Sequence, residues 1–182
     1  MQTVRASARY GRAIAATADL LSRLKVEFVF AGNVARAAWL GGSVDRGSLD
    51  VIALVSPEQK NQVAMMAGNR GFGVDRDEIA MSEELDFIPL TFLDSEGDVR
   101  VHVLVASNAL YGRMVRDGSA AEGGGATLNV PAAEDLAVLL AVAEDDESAR
   151  ALQMLIRLPQ FDRVAYNRRL VSIGLSQMVV NE

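Results

Sequence analysis

Residues 28–55 read FVFAGNVARAAWLGGSVDRGSLDVIALV, and the fold is decided there. Glu27 to Ala31 is a short apolar run of strand character, and Gly32-Asn33 is a turn at which backbone can approach a ligand. Val34 to Leu40 has helical composition and is stopped by Gly41-Gly42. From Leu49 to Val55, period-two alternation puts Leu49, Val51, Ala53 and Val55 on one face and Asp50, Ile52 and Leu54 on the other. A strand, a helix N-terminus and a carboxylate on the next strand together make a candidate nucleotide site. Ile52, two residues beyond Asp50, stands where a second carboxylate would share its face.

On the N-terminal side, residues 7–24 space Tyr10, Ile14, Ala18, Leu21 and Leu24 as one face of an amphipathic helix, with Arg9, Arg12 and Arg23 opposite. On the C-terminal side, Ser56-Pro57-Glu58 begins a helix that runs to about Asn69. Residues 71–84 read as a glycine-rich loop and a short helix. Asp86 to Leu93 and Val99 to Ala106 are strands joined by the turn residues 94–98. The second strand carries the single histidine, His102, on its more polar face with Arg100 and Leu104.

A helix over 109–115, a glycine loop at 123–125 and an edge strand over 126–130 follow, and Pro131 ends the strand. From there the pattern is helical, over 133–143, 146–157 and 163–173, with Asp162 as N-cap of the last segment. The expected architecture is α+β, a mixed sheet flanked by helices. Residues 1–130 form its α/β core, and 131–182 a helical part packed on that core in one compact unit.

Composition narrows the function. The chain has 182 residues, no cysteine and one histidine, so thiolate and multi-histidine metal sites are excluded and a reducing compartment fits. A net charge of −6 argues against a broad nucleic-acid surface, which needs clustered cations to replace counterions. The arginines that could form a local patch are Arg150, Arg157, Arg163, Arg168 and Arg169. No apolar run reaches the ~18 residues of a spanning helix and no signal-peptide pattern opens the chain, so no membrane is expected and the cytoplasm is.

In order, these pieces resemble the nucleotidyltransferase superfamily, in particular small bacterial proteins of the abortive-infection and toxin-antitoxin kind, over roughly Phe28 to Leu175. Gly32-Asn33-Val34-Ala35 is similar to the family's Gly-Gly-x-Ala turn. Arg46-Gly47-Ser48-Leu49-Asp50-Val51-Ile52 is similar to its Arg-x-Thr-x-Asp-Ile-Asp strand, and Glu134-Asp135-Leu136 to a Glu-Asp-Leu helix start. The resemblance implies Mg²⁺ and a nucleoside triphosphate held by three carboxylates and a lysine. This chain keeps Asp50, has Ile52 and His102 at the positions of the other two carboxylates, and has Leu140 where the lysine is expected.

Mg²⁺ needs hard oxygen ligands in near-octahedral geometry, and one carboxylate is too few. The expectation is therefore a catalytically degenerate protein that binds a nucleotide or other anion through Gly32, Asn33, Arg46 and Ser48, or acts as a regulatory module, with Asp50 at most a weak metal ligand. One alternative is an active transferase that recruits Asp45 or the acidic residues Asp75, Asp77, Glu78, Glu83 and Glu84. Another is a protein with a protein partner or a second copy of itself and no small ligand. Plainer assignments stand beside these: Gly32-Asn33 as a tight turn, Asp50 as a partner of Arg46, His102 as a half-buried strand residue, and Asp94, Glu96 and Asp98 as turn residues.

Overall fold

A computed structural model describes residues 3–75, 77, 86–123, 125–143 and 145–175. In chain order the elements are β1 (Arg5–Ala6), α1 (Ala8–Arg23), β2 (Phe28–Phe30), α2 (Gly32–Leu40), β3 (Ser43–Val44), β4 (Leu49–Ala53), α3 (Pro57–Gly68), β5 (Phe72–Gly73), β6 (Phe87–Phe92), β7 (Val99–Val105), α4 (Ala109–Arg116), β8 (Ser119–Gly123), β9 (Ala126–Val130), α5 (Ala133–Val142), α6 (Asp146–Leu155) and α7 (Arg163–Ser172). The fold is α+β, as expected, and the main sheet is mixed. Its order is β2-β4-β7-β6-β5, with β4 and β7 parallel at the centre and the other pairs antiparallel. Two smaller pairs, β1-β3 and the β8-β9 hairpin, lie beside it.

The alternation in β4 and β7 produces a sheet with one fully buried face and one that is only partly covered. Leu49, Val51, Val101 and Val103 join the larger core, on which α1 lays Tyr10, Ile14, Leu20 and Leu21. On the opposite face Ile52 packs with Val29, Ala31, Met114 and Val115, so α4 covers that side. The 4-7 pairing register sets Asp50 beside His102 and Ile52 beside Leu104.

Helix α3 begins as its first residues foretell. The Ser56 hydroxyl accepts from the Gln59 N–H at 3.3 Å and the Gln59 side chain accepts from the Ser56 N–H at 3.0 Å, a reciprocal cap that satisfies two orphan donors. Asp162 caps α7 by accepting from the Ala165 N–H at 2.9 Å. Helix α2 starts at Gly32, two residues before the expected Val34. Residues 119–123, which carry no strand signal, pair as β8, because the turn at Gly125 (φ 80°) folds them onto β9. Of residues 71–84, Phe72 and Gly73 form an edge strand where a loop was expected; the expected short helix lies almost wholly outside the described residues.

The turn between β6 and β7 is anchored from α1. Arg12 donates to both carboxylate oxygens of Asp94, at 2.7 and 2.8 Å, and the Glu96 N–H donates to the same carboxylate at 2.9 Å. Asp94, Glu96 and Asp98 thus serve as turn residues. The Arg12 guanidinium, aided by that N–H, holds the Asp94 carboxyl at about 2. The Arg23 guanidinium and the Ser148 side chain likewise lower Asp19 and Asp145. Folded values below the ordinary ones mean stability that is present above pH about 4 and lost as pH falls toward 2. Acid unfolding of Asp94→Asn followed by circular dichroism should show a shallower loss over that window than wild type; an unchanged profile would contradict this.

The helical end is joined to the core by a buried charge. Asp135 on α5 is fully buried and receives Arg113 of α4 at 3.0 Å and Arg169 of α7 at 2.9 Å. Arg169 also reaches Glu134 at 3.3 Å. Burial pushes the Asp135 carboxyl up, against the opposing pull of the Arg169 and Arg113 charges. One of its oxygens, Oδ2, is buried without a hydrogen-bond partner among the described residues.

Candidate functional site

Asp50 lies in the middle of the main sheet because β4 does, and the start of α2 is tied to it. The Ala31 N–H donates to the Asp50 carbonyl at 2.8 Å, which sets Gly32 against the Asp50 side chain. Gly32 has φ of 49°, and a Cβ added there would stand 2.5 Å from Asp50 Oδ2. Glycine is therefore required twice, by backbone conformation and by contact. Gly32→Ala should cost about 1–3 kcal/mol for the left-handed backbone alone. Urea unfolding would check this, and a loss within error of zero would show that the turn relaxes freely.

The Asp50 carboxylate is held in place from its own and the neighbouring strand. Its Oδ1 accepts from the Ser48 hydroxyl at 3.0 Å and lies 3.1 Å from His102 Nδ1. That contact is a hydrogen bond in the tautomer that carries its proton on Nδ1. The His102 ring also meets Phe87 edge-on, with centroids 5.9 Å apart. Among the described residues Asp50 makes no ion pair with Arg46; Ser48 and His102 are its partners.

A cleft of about 330 Å³ opens beside Asp50, and Gly32, Asn33, Asp50, Ile52 and Leu140 all line it. The rest of its wall comes from distant segments: Leu104 of β7, Tyr111 of α4, Leu136 and Leu139 of α5, and Asp145, Glu147 and Ser148 at the start of α6. Of these, the sequence marks Leu136, in the Glu-Asp-Leu helix start, and assigns none of the others to the site. Strand parity puts Leu104 on the face of His102, without marking it as part of a site. The others come from helices whose docking onto the sheet no local pattern encodes.

Arg46 lies elsewhere, lining a neighbouring depression of about 320 Å³ with Arg36, Asp45 and Arg150. The two hollows share Asn33, Arg36 and Glu147. Arg36 pairs with Glu147 at 3.0 Å and donates to the Asn33 side-chain oxygen. The Asn33 amide donates to the Arg46 carbonyl at 3.2 Å, which ties the α2 start to the loop before β4. Ser48 and His102 sit next to Asp50 and line neither hollow.

On the sheet face of Asp50, β4 offers no second oxygen ligand for a divalent cation of the Mg²⁺ kind. Beside Asp50 on the same face, Ile52 is fully buried, and Leu104 is its register neighbour. Neither offers an oxygen. Among the described residues no three His, Asp or Glu side chains converge as a metal site. Asp45 lines the other depression, and Asp75 accepts from the Asp77 N–H at 2.8 Å in a third hollow near Arg100. Glu78, Glu83 and Glu84 lie outside the described residues. No described helix is long and apolar enough to cross a membrane.

No protein-family model matches this sequence, and no curated protein matches it. Solved structures do. An antigenic nucleotidyltransferase-like protein from Paracoccidioides brasiliensis superposes with a TM-score of 0.51 at 11% identity, covering 82% of this chain and 77% of that one. The lincosamide antibiotic adenylyltransferase LnuA, bound to lincomycin, superposes with a TM-score of 0.51 at 12% identity, covering 80% of this chain and 96% of that one. At such identity the likeness is one of fold, and the fold is that of nucleotidyltransferases.

Proposed function

We propose that this chain is a nucleotidyltransferase-fold protein that has lost its catalytic metal site and serves as a nucleotide- or anion-binding or regulatory module. The observation that carries the reading is the side chain next to Asp50: Ile52, fully buried, in place of a second hard ligand. A metal ion held by Asp50 alone would keep nearly all its waters and could not clamp both the attacking and the leaving oxygen. Leu140, where the resemblance calls for a lysine, adds a methyl-bearing wall instead of a cation.

The anion would lie on the side of Arg36, Arg46 and Arg150, in the depression that runs along α2 to its C-terminal end, where the arginines supply the charge. The regulatory role we propose is of the abortive-infection or toxin-antitoxin kind that the motifs resemble, exercised in the cytoplasm with a protein partner or a second copy of the chain. A second reading, an active metal-dependent transferase, draws on the likeness to LnuA. It requires metal ligands beyond Asp50.

Thermal unfolding with inorganic phosphate, ATP and GTP tests the proposal. Ligand at about 100 times its Kd should stabilise the fold by about 2.7 kcal/mol, equally with EDTA and with Mg²⁺, and Arg46→Ala or Arg150→Ala should weaken the effect. A shift that appears only with Mg²⁺ would contradict a metal-free site, and no shift with any of them would favour a protein without such a ligand.

A further inference from the structure

The charges around the cleft beside Asp50 are not balanced from within. Four charged residues line it. Arg36 and Glu147 neutralise one another at 3.0 Å, and Asp145 commits one oxygen to the Ser148 N–H at 2.8 Å and the other to its hydroxyl at 2.6 Å. Asp50 differs. Its Oδ1 is taken by Ser48 and His102, whereas Oδ2 has no donor among the described residues. The missing side chain of Gly32 keeps that oxygen uncovered, since a Cβ there would stand 2.5 Å away.

The cleft that Asp50 lines also has an apolar side: Ile52, Leu104, Tyr111, Leu136, Leu139 and Leu140. A carboxylate oxygen on an apolar floor selects its guest. Phosphate would meet the Asp50 charge while Arg36, the cation of the lining, is already paired with Glu147, and a neutral apolar molecule would strip water from the carboxylate and return no hydrogen bond. An ammonium replaces that water with a charge-assisted bond while its carbon body covers the leucines. The volume sets the size, because a cavity of about 150 Å³ takes a benzene ring. At about 330 Å³ the cleft has room for one or two rings.

We propose that the cleft beside Asp50 binds a small organic cation, an ammonium group on a one- or two-ring apolar body, with Asp50 Oδ2 as its counter-charge. This rests on the reading that the site has no divalent metal. The anion side, at Arg46 and Arg150, adjoins the cleft and shares Asn33, Arg36 and Glu147 with it, whereas Asp50 lines the cleft and not the anion side.

Calorimetric titration of the full chain with phenethylammonium chloride, in EDTA and again in millimolar Mg²⁺, tests the proposal, with 2-phenylethanol as the neutral counterpart. The ammonium should bind at least about tenfold more tightly than the alcohol. Asp50→Asn should bring the ammonium down to the level of the alcohol and leave the alcohol unchanged. The comparison of amine with alcohol needs only the wild-type chain, so it stands even if the variant folds poorly. Equal binding of the two, no binding of the ammonium, or binding that survives Asp50→Asn would overturn the proposal while leaving the loss of the metal site intact. Displacement of the ammonium by Mg²⁺ would overturn both, because it would show a metal seated on Asp50.

Discussion

Asp135→Ala is expected to destabilise the fold by about 3 kcal/mol, the lower end of the range for breaking a buried ion pair. The carboxylate is fully buried and is the common partner of Arg113 and Arg169, which reach it from two other helices. Removing it leaves two guanidinium groups facing each other across a cavity. The lower end applies because the arginine side chains keep 28% and 17% of their exposure and can recover some water, and because Arg169 retains Glu134. Asp135→Asn should cost less than alanine, since it keeps the volume and one acceptor while relieving the desolvation that raises the native carboxyl. A raised folded value favours the fold at low pH and is lost as pH rises through it, and asparagine gains nothing from the proton, so the gap between wild type and Asp135→Asn should widen in acid. Equal stability of the alanine variant at neutral pH, by urea unfolding, would show that the network contributes nothing.

The second large effect is expected at Ile52→Asp. On its face, Ile52 packs with Val29, Ala31, Met114 and Val115. Losing that apolar burial costs about 1.5–3 kcal/mol, and leaving a polar group there without partners adds about 1–3 kcal/mol. The sum, roughly 2.5–6 kcal/mol, approaches at its upper end the whole stability of many domains. Ile52→Val should cost only about 0.5–1.5 kcal/mol, which separates the effect of charge from that of shape. Millimolar Mg²⁺ should not restore the aspartate variant. If it does, the cleft still has the geometry of a two-carboxylate metal site and isoleucine is a late, shallow replacement.

The fold was legible because its signals are periodic. Alternation in Leu49 to Val55 and Val99 to Ala106 set two strands, and the spacing of Tyr10, Ile14 and Leu21 set α1; all of these are seen. The pieces that escaped are those that local chemistry does not specify. Ser119 to Gly123 becomes a strand because β9 pairs with it, and neither β1 nor β3 exceeds two residues. For the site, Gly32, Asn33, Asp50 and Ile52 fall on one cleft, since a turn and an adjacent strand are brought together by a single antiparallel pairing. Arg46 does not join them, because the turn at Gly47 (φ 79°) leaves it on the neighbouring depression. The far wall comes from α4, α5 and α6, whose docking depends on packing and on the Asp135 network.

The central claim is that Asp50 no longer works with a metal to transfer a nucleotide. It ties together the buried isoleucine, the carboxylate engaged by Ser48 and His102, and the apolar wall at Leu104 and Leu140. The most direct measurement is incubation of the chain with each of the four labelled nucleoside triphosphates, with Mg²⁺ or Mn²⁺, in the presence of cell extract as a source of acceptors. The account predicts no labelled product and no pyrophosphate release above that of the Asp50→Ala variant. Label transfer that requires the metal and vanishes in Asp50→Ala would contradict it.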